Sequence, residues 1–161
     1  MDRTDLRNRF IERRRDMTIS DVTDKNKQIM GYLETAVDWS TVTALHIYRS
    51  VAQWNEVDTS SLADFIQKNH PAISVTTGNP DRSTPPPSSQ FDVIIVPIVV
   101  FDRELNRLGF GGGWYDRFLA LQVKAQKIGL AYDFQQTDHI ETRSHDIALD
   151  LIVTNSGVLR K

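Results

Sequence analysis

The run FDVIIV, Phe91 to Val96, restricts the fold of this chain more than any other stretch. It is apolar on both faces, so a strand formed there must be covered on both sides. A parallel sheet flanked by helices meets that condition. The flanking segments alternate in period as such a fold requires. Asp2 to Asp16 reads as a charged helix with Leu6 and Phe10 four apart on one face. A second helix starts near Ser20, Asp21 and Asp24 and carries Ile29, Leu33 and Val37 as its apolar stripe. Val42 to Tyr48 is short and β-branched, a strand. Asp58-Thr59-Ser60 caps a helix bearing Leu62, Phe65 and Ile66, and Ala72 to Thr76 is the next strand. Trp114 to Val123 forms a helix, while Lys127 to Ala131 and Ala148 to Val153 are two more buried strands. The expectation is a three-layer α/β fold, a mostly parallel sheet flanked by helices, in one domain spanning residues 1–161. Thr77 to Gln90 (TGNPDRSTPPPSSQ) contains three consecutive prolines and is expected to be a surface loop.

Composition narrows the function classes. A net charge of −2 supplies no general field for nucleic acid, and the arginines of RNRFIERRR read as a solvated helix face. An RNA-binding use of that helix is a remote alternative. No cysteine is present, which removes thiol nucleophiles, disulfides and cysteine zinc sites and fits a reducing compartment. Asp138, His139, His145 and Asp146 match no usual zinc spacing. The N-terminal MDRTDLRNRFIERRRDM lacks a signal peptide's apolar core. The longest apolar run, Val93 to Phe101, is nine residues and holds Pro97, too short to span a bilayer. A cytoplasmic monomer is expected, with no nucleic acid and no membrane as partners.

Directly after that run comes FDRELNRLGFGGGWYDRFLA, which holds four of the chain's eight glycines. It satisfies neither the Walker A nor the dinucleotide fingerprint, because Trp114 stands where each pattern fails. Two readings stay open. The glycines form a tight turn, or their N–H groups, with the start of the following helix, form an anion cradle beyond a strand end. Arg107 is placed to take phosphate oxygens bidentately, although a surface arginine is the ordinary alternative. Asp116 suits magnesium or simply complements the helix dipole. Trp114 and Tyr115 either stack on a flat ligand or join the core.

FD-x-x-x-NRLG-x-GGG-x-YDR resembles the signature of the 5-formyltetrahydrofolate cyclo-ligase (methenyltetrahydrofolate synthetase) family. Three more blocks carry the likeness: Arg3-x-x-Leu6-Arg7, Tyr48-Arg49-Ser50 with Asn55-Glu56-Val57-Asp58-Thr59, and His145-Asp146 with Leu149 to Thr154. The resemblance implies the NagB/RpiA/CoA-transferase-like form of the three-layer fold. It implies ATP and 5-formyltetrahydrofolate as substrates, with magnesium as cofactor. In that reaction the formyl oxygen attacks the γ-phosphate, N10 closes the ring, and phosphate leaves. By the same resemblance Arg3 and Arg7 would contact ATP. Arg107, Leu108, Gly109, Phe110, Gly111, Gly112, Gly113, Trp114 and Tyr115 would form the phosphate loop, with Arg107 and Tyr115 catalytic. Phe110 to Trp114 would also face the folate, Arg49 and Glu56 would line its pocket, and Asp116 and Asp146 would hold magnesium.

The chain departs from the family pattern in three places. Leu105 stands where glycine is usual, so Asn106 is expected to take the left-handed position or the turn to be rebuilt. Trp114 replaces the commoner tyrosine, and Gly112 stands where some members carry lysine. The fourteen residues Thr77–Gln90 replace a longer segment near the folate pocket. A shortened paralogue with the same nucleotide site and another small-molecule acceptor is the alternative.

Overall fold

The computed structural model describes residues 1–78 and 83–161. Its helices are α1 (Arg3–Arg15), α2 (Ile19–Ala36), α3 (Ser60–Asn69) and α4 (Trp114–Leu121). Its strands are β1 (Ala44–Ile47), β2 (Ser74–Thr77), β3 (Val93–Pro97), β4 (Val100–Phe101), β5 (Arg107–Leu108), β6 (Gln126–Leu130), β7 (Leu151–Thr154) and β8 (Gly157–Arg160). Six strands make one sheet in the order β2-β1-β3-β6-β7-β8. Every neighbouring pair is parallel except β7 and β8. The expected α/β fold with a mostly parallel sheet is what the chain forms, and β3, the FDVIIV strand, is buried at every position. No helix among the described residues is long and apolar enough to cross a membrane.

Chain order reverses between β1 and β3, because β2 lies on one side of β1 and β3, β6 and β7 follow on the other. In open α/β sheets such a reversal leaves a crevice at the carboxyl ends of the strands. Three short strands depart from the expected set. β4 and β5 pair as an antiparallel hairpin of two residues each, too short to show a period. β8 turns back from β7 after Thr154-Asn155-Ser156, and its four residues are half-buried or exposed. The second helix is capped by Thr18, whose side chain accepts from the Asp21 N–H at 3.1 Å, rather than near Ser20. The expected loop from Thr77 begins as the last residue of β2, and residues 83–90 carry no strand or helix. Its part at 79–82 lies outside the described residues.

The turn between β4 and β5 corrects one expectation. Leu105 itself takes the left-handed conformation (φ 64°), not Asn106. A left-handed leucine costs about 1–2 kcal/mol, but burying its side chain contributes about 1.5–3 kcal/mol. Leu105 is wholly buried in the core, and its carbonyl accepts from the Leu149 N–H at 3.0 Å. The Asp102 carboxylate holds the turn, accepting from the N–H groups of Glu104 and Asn106 at 3.0 Å each and from Asn106 Nδ2 at 3.1 Å. It also reaches the Ile140 N–H at 3.0 Å.

On β1, His46 points into the core between the rings of Phe91 and Phe118, 5.2 and 4.8 Å from their centroids. Burial pushes its pKa down to about 4. Protonation therefore favours the unfolded chain, and this contribution to stability is full above pH ~6.5 and lost as pH falls toward about 4. The difference corresponds to about 3 kcal/mol. Urea unfolding of the wild type and His46→Leu at pH 7.5 and pH 4 is expected to show the wild type losing that much more than the variant. Equal losses would contradict a buried neutral imidazole.

Candidate active site

Helix α1 owes its placement to the residues at i, i+4, i+7 and i+11, which share one helix face. Those residues are Arg3, Arg7, Phe10 and Arg14. Phe10 packs with Val99, Val100, Leu108 and Ile140, seating the helix on the β4–β5 hairpin. Arg3 and Arg7 are thereby carried to the glycine loop that follows β5. Arg7 Nε donates to the Gly109 carbonyl at 2.6 Å. Arg3 pairs through both terminal guanidinium nitrogens, Nη1 and Nη2, with Asp146, the longer contact being 3.1 Å.

The four glycines divide into two kinds. Gly111 (φ 117°) and Gly113 (φ 66°) are needed by the backbone, and Gly113 is the N-cap of α4. Gly109 and Gly112 have ordinary φ, and a Cβ on either would meet no protein atom within 4 Å. Both line a cleft of about 270 Å³, so their missing side chains leave open space in that cleft rather than serving a turn. The backbone N–H groups of Gly111, Gly112, Gly113 and Trp114 donate to no described residue, and no side chain caps α4. Unpaired N–H groups at the positive end of a helix make an anion site. Gly112→Ala is expected to leave the urea midpoint unchanged while raising the dissociation constant for inorganic triphosphate about tenfold. Gly113→Ala, by contrast, should cost about 1 kcal/mol of stability through strain. Calorimetric titration with inorganic triphosphate and urea unfolding separate the two.

Charge in the cleft points the same way. Among the described lining residues, Arg3, Arg7, Arg107 and Arg143 face two carboxylates, Asp116 and Asp146, in a chain whose net charge is −2. The Arg7 pKa is lowered, first by burial and then by Arg3 and Arg143, so its cation is under-compensated. The Asp146 pKa is lowered although burial opposes this, because Arg3, the Arg143 N–H and His145 together outweigh it. Arg107 is buried on β5; its Nη1 donates to Asp116 Oδ1 at 3.0 Å and its Nε has no partner among the described residues. Asp116 Oδ1 also accepts from the Ile147 N–H at 3.2 Å, while Oδ2 receives no hydrogen bond among the described residues. Pro97, at the end of β3, completes the floor, which puts the cleft at the chain-order reversal.

The model of the 5-formyltetrahydrofolate cyclo-ligase family matches residues 66–155. The chain belongs to this family. The cyclo-ligase of Escherichia coli K12 is 43% identical over 74 residues, covering 45% of this chain and 41% of that protein. That of Mycoplasma genitalium is 43% identical over 68 residues, 42% of this chain and 41% of that one. The match thus spans about two fifths of these relatives' length. By structure, the 5,10-methenyltetrahydrofolate synthetase of Mycoplasma pneumoniae superposes with a TM-score of 0.80 at 24% identity, covering 96% of this chain and 99% of that one. The synthetase of Aquifex aeolicus gives 0.79 at 23%, covering 98% and 91%. These two likenesses show the cyclo-ligase fold.

The glycine loop, α4, Asp116 and Asp146 lie inside the segment that matches the cyclo-ligase family, whereas Arg3, Arg7, Arg49 and Glu56 lie before it. Geometry nevertheless brings Arg3 and Arg7 to the same cleft as Arg107, Gly109 to Gly113, Trp114, Tyr115, Asp116 and Asp146. Leu108 does not reach it, being a buried residue of the hydrophobic cluster under α1. Arg49 and Glu56 also lie outside its lining. Arg49 is exposed, and Glu56 is buried with Oε2 accepting from the Val51 N–H at 2.7 Å. Trp114 and Tyr115 are mostly core: their rings pack on each other and on Phe118, and Trp114 Nε1 donates to the Thr84 carbonyl at 2.8 Å. Thr4, Arg143 and His145 join the lining without having been singled out as site residues. His145 sat beside Asp146 in a motif block, but nothing local marked Arg143. His139 groups with Asp102 and Glu104, within 4.8 Å, yet both Asp102 oxygens are already committed to the turn.

Proposed function

We propose that this chain catalyses the ATP-dependent conversion of 5-formyltetrahydrofolate to 5,10-methenyltetrahydrofolate, releasing ADP and phosphate. One observation carries the proposal: an open, glycine-floored anion cradle with an excess of guanidinium groups, at the strand ends of a cyclo-ligase-family chain. The formyl oxygen would attack the γ-phosphorus while the bond to the bridging oxygen of ADP breaks. N10 would then bond to the formyl carbon and give up its proton, and the formyl oxygen would leave with phosphate. Such a reaction asks the protein chiefly for alignment and charge neutralisation.

Arg107 and the N–H groups of the loop would hold the transferred phosphoryl group, and Arg3 and Arg7 the rest of the triphosphate. Tyr115 packs at the loop's end and helps shape the wall. The donor set fits one magnesium ion, which prefers one or two carboxylates together with phosphate oxygens. Asp116 offers Oδ2, while Asp146 is held by Arg3 and would become available once that guanidinium turns to phosphate. When bound, the ion would neutralise triphosphate charge. We also propose that the protein acts as a cytoplasmic monomer. Of the arginines that an RNA-binding use would draw on, Arg7 lines the cleft and Arg14 is buried, while Arg9, Arg13 and Arg15 are exposed.

Mixing protein, ATP, magnesium and 5-formyltetrahydrofolate should produce the absorbance of the methenyl product. Absence of product while ATP still binds would refute this reading. It would favour a different acceptor, the reading supported by the placement of Arg49 and Glu56 outside the cleft.

A further inference from the structure

Arg117, the fourth residue of α4, sits close to the positive end of its helix, where the macrodipole disfavours a cation. It is exposed, and among the described residues it pairs with no carboxylate. Its Nη1 has a definite partner all the same. It reaches back to the middle of the glycine loop and donates to the Gly112 carbonyl at 3.0 Å. No other donor among the described residues meets that carbonyl. Space for the guanidinium is left by Gly113, since a Cβ there would stand 3.2 Å from the same Nη1. Gly112 and Gly113 line the cleft and Arg117 does not, so the guanidinium grips the loop from the side away from the cleft. A trans peptide directs its C=O and its N–H to opposite sides. With the Gly112 carbonyl drawn outward, the Gly113 N–H is turned toward the cleft, where it donates to no described residue. At the loop's other end Arg7 Nε holds the Gly109 carbonyl at 2.6 Å, so both arms of the loop are fixed by guanidinium groups.

We infer that Arg117 is a positioning residue, which holds the Gly112–Gly113 peptide in the orientation that offers the Gly113 N–H to a bound phosphate. The inference rests on the proposed use of the glycine loop as a phosphate cradle. A peptide between two glycines is the one whose flip costs least, because both residues adopt either sign of φ. Flipped, it would turn a carbonyl oxygen, with its partial negative charge, toward the phosphate in place of a donor. The bond to Arg117 thus sets the sign of the charge that this peptide shows to an anion. It does so before the anion arrives, which spares binding the cost of ordering the loop. Arg7 and Arg107 line the cleft and can meet phosphate oxygens directly, whereas Arg117 acts through the backbone and touches no ligand.

Calorimetric titration of the full chain with inorganic triphosphate, at about 0.05 M and about 0.5 M salt, tests this in the wild type and Arg117→Ala. Relaxation dispersion at the Gly113 amide and the melting temperature are measured on each protein without ligand. Arg117→Ala is expected to weaken binding about fivefold at both salt concentrations, the worth of one net hydrogen bond. Its melting temperature should stay near that of the wild type, since the side chain is exposed. Its Gly113 amide should show microsecond-to-millisecond exchange that the wild type lacks, the signature of a flipping peptide. Equal affinity in the two proteins would overturn the positioning role and leave the cradle standing. Absence of that exchange, or a loss of affinity that vanishes at the higher salt, would reduce Arg117 to a charge acting on the anion and overturn the role as well. A wild type that binds no triphosphate would sink the inference together with the cradle on which it rests.

Discussion

Arg107→Ala is expected to lower turnover about a thousandfold, the range seen when an arginine that stabilises transferring phosphoryl charge is removed. Three observations set that size. The guanidinium is 6% exposed, so its charge acts where water cannot screen it. Only one nitrogen, Nη1, is used by Asp116, and Nε has no partner among the described residues. Its strand places it at the mouth of the glycine loop, with Arg107 opposite Phe101 in the hairpin register. Structure should survive the change, because alanine opens space toward the cleft rather than inside the core. Arg107→Lys should recover little, since an ammonium cannot reproduce the planar fork. Single-turnover rates with ATP and 5-formyltetrahydrofolate, read beside the melting temperature, check the prediction. Turnover within tenfold of wild type in a folded Arg107→Ala protein would remove this residue from the phosphoryl site.

Asp102→Ala should have the largest effect on stability, about 3 kcal/mol or more. The carboxylate is 1% exposed and accepts from four donors, three within its own turn and one, the Ile140 N–H, from a distant segment. Removing it leaves the buried Ile140 N–H and three part-buried donors without this partner, the buried one at a cost of about 1–3 kcal/mol and the others at less. It also frees Leu105 from a left-handed conformation that the turn enforces. Because Arg107 lies two residues beyond Leu105, the site should suffer along with the fold. Asp102→Asn tests the reason: its amide retains one acceptor oxygen and should recover part of the loss. Urea unfolding of both variants decides it, and a wild-type midpoint in Asp102→Ala would show that the turn is held by other contacts.

The helical arginines show how far local patterning reaches. Arg3, Arg7 and Arg14 recur with Phe10 at helical spacing, yet such a stripe reads as solvated because arginine is ordinarily exposed. The face turned inward is nevertheless this one, since it lines an anion cleft and covers Phe110. Leu105 illustrates the opposite limit. Backbone preference alone argues against leucine at positive φ, and its complete burial reverses the balance.

What the amino-acid sequence determines by itself is the class of fold. FDVIIV demands cover on both faces, the alternating segments supply it, and the motif blocks carry the likeness to the cyclo-ligase family. These features are local or read in chain order, so they need no coordinates. Tertiary structure decides which glycines serve the backbone and which leave open cleft, which carboxylate keeps an oxygen uncommitted, and which tryptophan faces water. Each depends on atoms brought together from residues far apart in the chain, as Arg7 meets Gly109 and Arg14 meets Trp54. Spacing along a chain carries no record of such meetings. Packing of α1 across the β4–β5 hairpin creates them.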